Sequence, residues 1–113
     1  MYEICSFEIN NKIYTIYDID KIEGKKSYIG KTEYDNTDIF IEIGSFEDML
    51  LTLKHELMHV WLYENRHKNQ NNDEVFSYED VCELVALSNN SINKIVAEYL
   101  KNKYWFYFKY VIY

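Results

Sequence analysis

The stretch LKHELMHVWLYE, residues 53–64, holds two of the three histidines in this 113-residue chain. His55 and His59 are four apart, and Glu56 follows the first. On a helix, residues four apart lie one above the other on one face. Two imidazole nitrogens so placed converge on a single tetrahedral ion. Glu56 then points beside that ion, where a carboxylate takes a proton from an activated water and later hands it to a leaving amine. The spacing points to metal-assisted hydrolysis, and imidazole with carboxylate ligands suits zinc. The competing reading is a pair of core histidines with hydrogen-bond partners, which in a buried helix requires a partner for each ring.

Catalytic zinc generally has three protein ligands and one open position. His67 is the remaining histidine, eight residues past His59 and at or beyond the end of the helix. No glycine follows Gly44 to turn the chain back, so His67 is a poor third ligand. The stretch YEDVCELVA, residues 78–86, offers carboxylates instead. Glu79 and Glu83 are one helical turn apart, whereas Asp80 points about 100° away. Either glutamate can ligate while the other orients a histidine, and spacing does not choose between them. Three acids at a helix start also suit the positive end of the helix dipole. Donors for a developing oxyanion could be Tyr63, Tyr78 or His67, each of which also has a plain structural reading.

These residues need elements to position them. YEICSFEI (2–9) and KIYTIYDI (12–19) alternate apolar and polar residues as strands do, with Asn10-Asn11 as a tight turn. SYIGKTEY (27–34) and DIFIEI (38–43) form a second pair around DNT. From Ser45 onward the period changes. Ser45 can cap a helix from Met49 to about Glu64, with Asp48 in its first turn. That helix is apolar nearly all round, the pattern of a buried helix, so the histidines are expected inside the domain or at the floor of a cleft. A polar stretch, HKNQNND (67–73), separates it from a second helix, which Ser77 can cap and which runs from Tyr78. SNNS (88–91) is a weak point there, a kink or a break. The aromatic tail YWFYFKYVIY (104–113) could extend the helix or return as a strand, and could close the core, cover the cleft or form a dimer face.

Composition bounds the rest. The length fits one domain, residues 1–113, with a modest core. The net charge of −7 argues against a surface that grips nucleic-acid phosphates. Twelve tyrosines and six phenylalanines can fill a core in a short chain. Two cysteines, Cys5 and Cys82, are too few for a disulfide framework and read as free thiols in a reducing compartment. Neither a signal peptide nor a membrane span is expected, which predicts a cytoplasmic protein. The fold class these patterns predict is α+β, with three or four mostly antiparallel strands against two main helices.

The run LKHELMHVWLYE…FSYEDVCELVA resembles the small phage and bacterial metallopeptidases of the ImmA/IrrE type, over about residues 28–100. These are gluzincins, zincins whose third zinc ligand is a glutamate on a following helix. Glu79-x-x-Cys82-Glu83-x-x-Ala86 is similar to the pattern of that glutamate helix. The resemblance implies a zincin-like fold and a zinc ion on His55, His59 and Glu79. It also implies Glu56 as general base, with Glu83 orienting a ligand. Met58 departs from the small residue usual before the second histidine. The resemblance further implies that the strand before the active-site helix, here 38–43, is the sheet edge that receives an extended peptide. The substrate it implies is a protein or peptide, such as a phage or mobile-element repressor. A rival from another class is a catalytically silent, zinc-stabilised protein that binds and blocks a partner. A purely structural zinc site has no need of Glu56.

Overall fold

A computed structural model of the chain describes residues 1–22, 29–65 and 76–111, the last six of these by backbone alone. Four strands, β1 (Tyr2–Ile9), β2 (Lys12–Ile19), β3 (Gly30–Glu33) and β4 (Asp38–Glu42), precede two helices, α1 (Phe46–Asn65) and α2 (Tyr78–Val111). This is the α+β class that the alternating first half and helical second half predict. His67 and the polar stretch around it lie outside the described residues.

β1 and β2 form an antiparallel hairpin through Asn10 and Asn11, whose φ angles of 49° and 65° are left-handed. Asparagine tolerates that region, and a two-residue turn of this hand matches strand twist. The strand order is β1-β2-β4-β3. β4 therefore does not lie at an edge, as the resemblance implies for 38–43. It is inserted between β2, which it pairs in parallel, and β3, which it pairs antiparallel. The physical reason is its side chains: Ile39 and Ile41 are fully buried, and a central position pairs the backbone on both sides. β1 and β3 are the edges. In β1 a bulge falls at Ile4, and the Asn102 side-chain amide of α2 donates to the Ile4 carbonyl at 3.2 Å.

Among the described residues, the helices cover one face of the sheet. Tyr14, Ile16, Ile39 and Ile41 point inward and meet Met49, Leu53, Leu57 and Val60 of α1 and Val96 and Tyr99 of α2. The other face carries Tyr17 stacked on Phe40 at 5.5 Å. Asp18 sits on the inner face at 4 % exposure. It accepts from the Tyr99 hydroxyl at 2.7 Å and pairs with Lys103 at 2.9 Å. A buried charge needs such partners, and these two tie α2 to β2.

Both helices start as their caps predict. Ser45 accepts from the Asp48 amide at 3.2 Å. Ser77 and Asp80 form a reciprocal box: the Asp80 amide donates to the Ser77 hydroxyl oxygen at 3.1 Å, and the Ser77 amide to the Asp80 carboxylate at 2.9 Å. α2 runs unbroken through SNNS and through the described part of the tail. Ser88 is buried and its hydroxyl faces the Val85 carbonyl at 3.4 Å within the helix, so the polar residues need no break. Tyr104 packs on Phe46, while Trp105 is 71 % exposed. No described helix is long and apolar enough to cross a membrane.

Both cysteines are free, Cys5 buried and Cys82 exposed. Burial, helped by the charges of Glu98 and Asp18, pushes the Cys5 thiol up to about 11. At pH 8 it stays protonated and unreactive, since the thiolate is the nucleophile. Thiol titration of the native protein at that pH should find one reactive group, lost in Cys82→Ser. The second should appear only on unfolding.

Candidate metal centre

α1 presents two faces with different fates. Met49, Thr52, Leu53, Glu56, Leu57, Val60 and Trp61 are buried. His55 and His59 lie on the open side, with the His55 side chain 67 % exposed and His59 exposed. The expectation that the histidines lie inside is therefore corrected. Among the described residues, one four-stranded sheet and α2 cover one side of α1 and no element covers the other, and Leu51 and Tyr63 are exposed as well.

The two rings nevertheless converge. Nε2 of His55 and Nε2 of His59 are 3.1 Å apart, with ring centroids at 4.7 Å. Two nitrogens on one tetrahedral zinc stand about 3.3–3.4 Å apart, given bonds of about 2.0–2.1 Å. One ring donates to the other, so each histidine is also its neighbour's hydrogen-bond partner.

Glu56 is the buried member of the motif, at 8 % exposure. Its Oε1 accepts from the Thr32 hydroxyl of β3 at 2.8 Å, and its Oε2 stands 3.9 Å from His55 Nε2. A carboxylate facing a sheet is an expensive way to fill space, since leucine would pack without the cost of burying charge. One oxygen is held by the sheet and the other is turned towards the imidazole pair.

β3 makes this possible. Side chains two apart on a strand share a face, so Gly30 and Thr32 share the inner face of β3, and Tyr34, the first residue of the turn that follows, packs on α1 through Tyr63. A Cβ at Gly30 would stand 2.5 Å from Thr52 Cγ2 and 3.1 Å from Glu56 Cγ. The glycine therefore lets strand and helix approach closely. Tyr34 stacks on Tyr63 with centroids 4.2 Å apart. Burial raises the Tyr34 phenol, and the charges of Glu56 and Tyr63 add to that shift. Thr32 and Tyr34 are not among the residues that motif reading selects. The sequence signal for them is a glycine inside a strand pattern with polar side chains at the next two alternate positions.

The second set of predicted residues is placed differently. Glu79 and Glu83 are exposed on α2. At about 100° per residue they lie roughly opposite the buried row of Leu84, Ser88 and Tyr99. Among the described residues no three His, Cys, Asp or Glu side chains gather as a metal cage, so the imidazole pair fits two positions of a zinc site. Asp80 is engaged in the helix cap, where the Ser77 amide and hydroxyl hold its carboxyl below the usual range. Of the other candidate donors, Tyr78 is 93 % exposed and Tyr63 50 %.

No family model, no curated protein and no solved structure matches this chain.

Gly30→Ala should force β3 from α1 and cost about 1–3 kcal/mol by overpacking, read as a lower urea midpoint. Adding Thr52→Ser removes the methyl group that the new Cβ meets and should recover most of that loss. Equal instability of the single and double variants would mean that β3 does not pack on α1 at this point.

Proposed function

We propose that the protein is a zinc-dependent metallopeptidase that hydrolyses a peptide bond in a protein substrate. His55 and His59 hold the metal, Glu79 supplies the third protein ligand, and Glu56 is the general base. The observation that carries this reading is the buried Glu56 carboxylate, held by Thr32 at one oxygen and turned at the other towards two converging imidazoles. Ligation by Glu79 requires the first turns of α2 to come to the pair when metal binds, a coupling of metal binding to structure that is common. Glu83 then stands one turn along as the residue that orients a ligand.

Zinc when bound would supply Lewis acidity at the scissile carbonyl and to the attacking water. Glu56 takes the proton of the attacking water on Oε2 and returns it to the leaving nitrogen. Thr32 holds Oε1, so the carboxylate does not rotate between these steps. A peptide adding to the sheet would pair with β3, the edge strand that carries Thr32, since β4 is paired on both sides.

The rival reading is a zinc-stabilised binding protein without turnover. It is favoured by the exposed positions of Glu79 and of the aromatic residues Tyr78 and Trp105. The two readings differ at Glu56, which only chemistry requires.

Metal analysis of protein purified without added metal tests the assignment. One zinc per chain is expected in the wild type and in Glu56→Gln. His55→Ala and Glu79→Ala should bind at least about tenfold more weakly, as ligand loss does. Hydrolysis of unfolded casein should be present in the wild type and absent in Glu56→Gln. A wild type that takes up no zinc on titration contradicts the proposal. Zinc without hydrolysis selects the binding protein, and zinc retained by Glu79→Ala moves the third ligand elsewhere.

A further inference from the structure

The inner row of β3 climbs along α1. Two strand residues advance about 6.6 Å, whereas the seven residues from Glu56 to Tyr63 advance about 10.5 Å along α1. Gly30 lies against Thr52 and Glu56, Thr32 binds Glu56, and Tyr34 meets Tyr63. Helical side chains tilt towards the helix N-terminus, so the Tyr63 ring, with Tyr34 against it, lies over the stretch of α1 that carries His59, beyond Glu56. The Tyr34 ring is fixed from behind. Tyr63 lies under the Lys12 ammonium, 5.6 Å from the ring centroid, and Lys12 pairs with Glu64 at 3.3 Å. The turn that presents Tyr34 is strained. Thr37 has φ 55°, costly for a β-branched residue, and its amide donates to the Tyr34 carbonyl at 3.3 Å. Strain of this kind concentrates at functional sites.

The Tyr34 side chain is half-buried, and its hydroxyl makes no hydrogen bond to the described residues. The Glu56 carboxylate takes its hydrogen bond from Thr32 instead. A half-buried phenol that follows the Thr32 strand on the side facing α1, with no described acceptor for its O–H, has one once substrate is present.

We propose that Tyr34 is a further catalytic residue of this site, donating its phenolic hydrogen bond to the carbonyl oxygen of the bond being cut. This rests on the metallopeptidase reading. As the water oxygen bonds to the carbonyl carbon, one water proton passes to Glu56 and the π pair of the carbonyl moves onto its oxygen. Tyr34 meets that oxygen with its O–H and keeps its own proton. When the carbon–nitrogen bond breaks, its electron pair leaves with the nitrogen, which takes the proton from Glu56, and the carbonyl re-forms. A preorganised donor of this kind acts where charge develops, so it favours the transition state over bound substrate.

The test is Tyr34→Phe in the zinc-loaded full chain, which keeps the ring and its stacking. The probe is the best-cut member of a degenerate decapeptide library. The expected result is a kcat lower by about 100–1000-fold with KM within about twofold. Zinc content and urea midpoint should be unchanged. A phosphinic analogue of the same peptide, whose tetrahedral oxygens stand in for the oxyanion, should bind Tyr34→Phe more weakly by a similar factor. The unmodified peptide should bind Glu56→Gln and Glu56→Gln/Tyr34→Phe equally. A Tyr34→Phe rate within about threefold of wild type overturns the proposal and leaves the metallopeptidase reading standing. Loss of zinc or of stability in Tyr34→Phe overturns it in favour of a structural role. A wild type that cuts no library member overturns both.

Discussion

A carboxylate turned into the contact between a helix and a strand organises this molecule. Glu56 is buried against β3 with one oxygen on Thr32, at the cost of taking a carboxylate out of water. The contact has strict requirements. Gly30 must lack a side chain, Thr32 must point inward, and β3 must run close to α1 over the turns that carry His55 and His59. Close helix–strand approach and a buried charge are both unfavourable in isolation. Together they hold one carboxylate oxygen and leave the other beside the imidazole pair.

The rest of the fold keeps α1 in that place. Ile39 and Ile41 in the sheet centre meet Leu53 and Leu57 on the helix face that also bears Glu56. Far along α1, Glu64 receives the Tyr14 hydroxyl and pairs with Lys12, while the Asn10 amide donates to the Glu64 carbonyl at 2.6 Å. The β1–β2 hairpin thereby clamps the end of the helix. Burial and the Glu64 charge both push the Tyr14 phenol upward, so the donor role is maintained across the working pH range. At the opposite side Asp18, Tyr99 and Lys103 fasten α2 to β2. Each of these networks joins residues far apart in sequence, and each places a polar bond where apolar packing alone would allow the helices to slide.

Much of this was legible in the residues. Alternation located the strands, Asn10-Asn11 the hairpin, and Ser45 and Ser77 the helix starts, because each signal is local. The strand order was not legible. Hairpin logic pairs neighbours in sequence, whereas the insertion of β4 beside β2 is settled by which strand gains most from pairing on both edges. Apolar periodicity also overstated the burial of α1, since the residues of one helix do not reveal how many partners a short chain has to offer it. Leu51 and Tyr63 remain exposed, with no second layer over them among the described residues. For the candidate site, spacing alone selects His55, Glu56 and His59. It does not select Thr32 and Tyr34, because their relation to α1 exists only once β3 lies across it. Glu79 was selected by resemblance, and the helical phase of α2 turns it from the buried row.

The most direct measurement is the visible absorption spectrum of the protein titrated with cobalt(II), an ion whose spectrum reports coordination number. If the imidazole pair is a metal centre completed by a protein carboxylate, the spectrum should show the intense bands of four-coordinate cobalt with nitrogen and oxygen ligands. They should saturate at one ion per chain, yield to zinc, persist in Glu56→Gln and vanish in His59→Ala. The weak bands of the hydrated six-coordinate ion, unchanged between wild type and His59→Ala, would contradict it. The pair would then be two surface histidines that share a hydrogen bond.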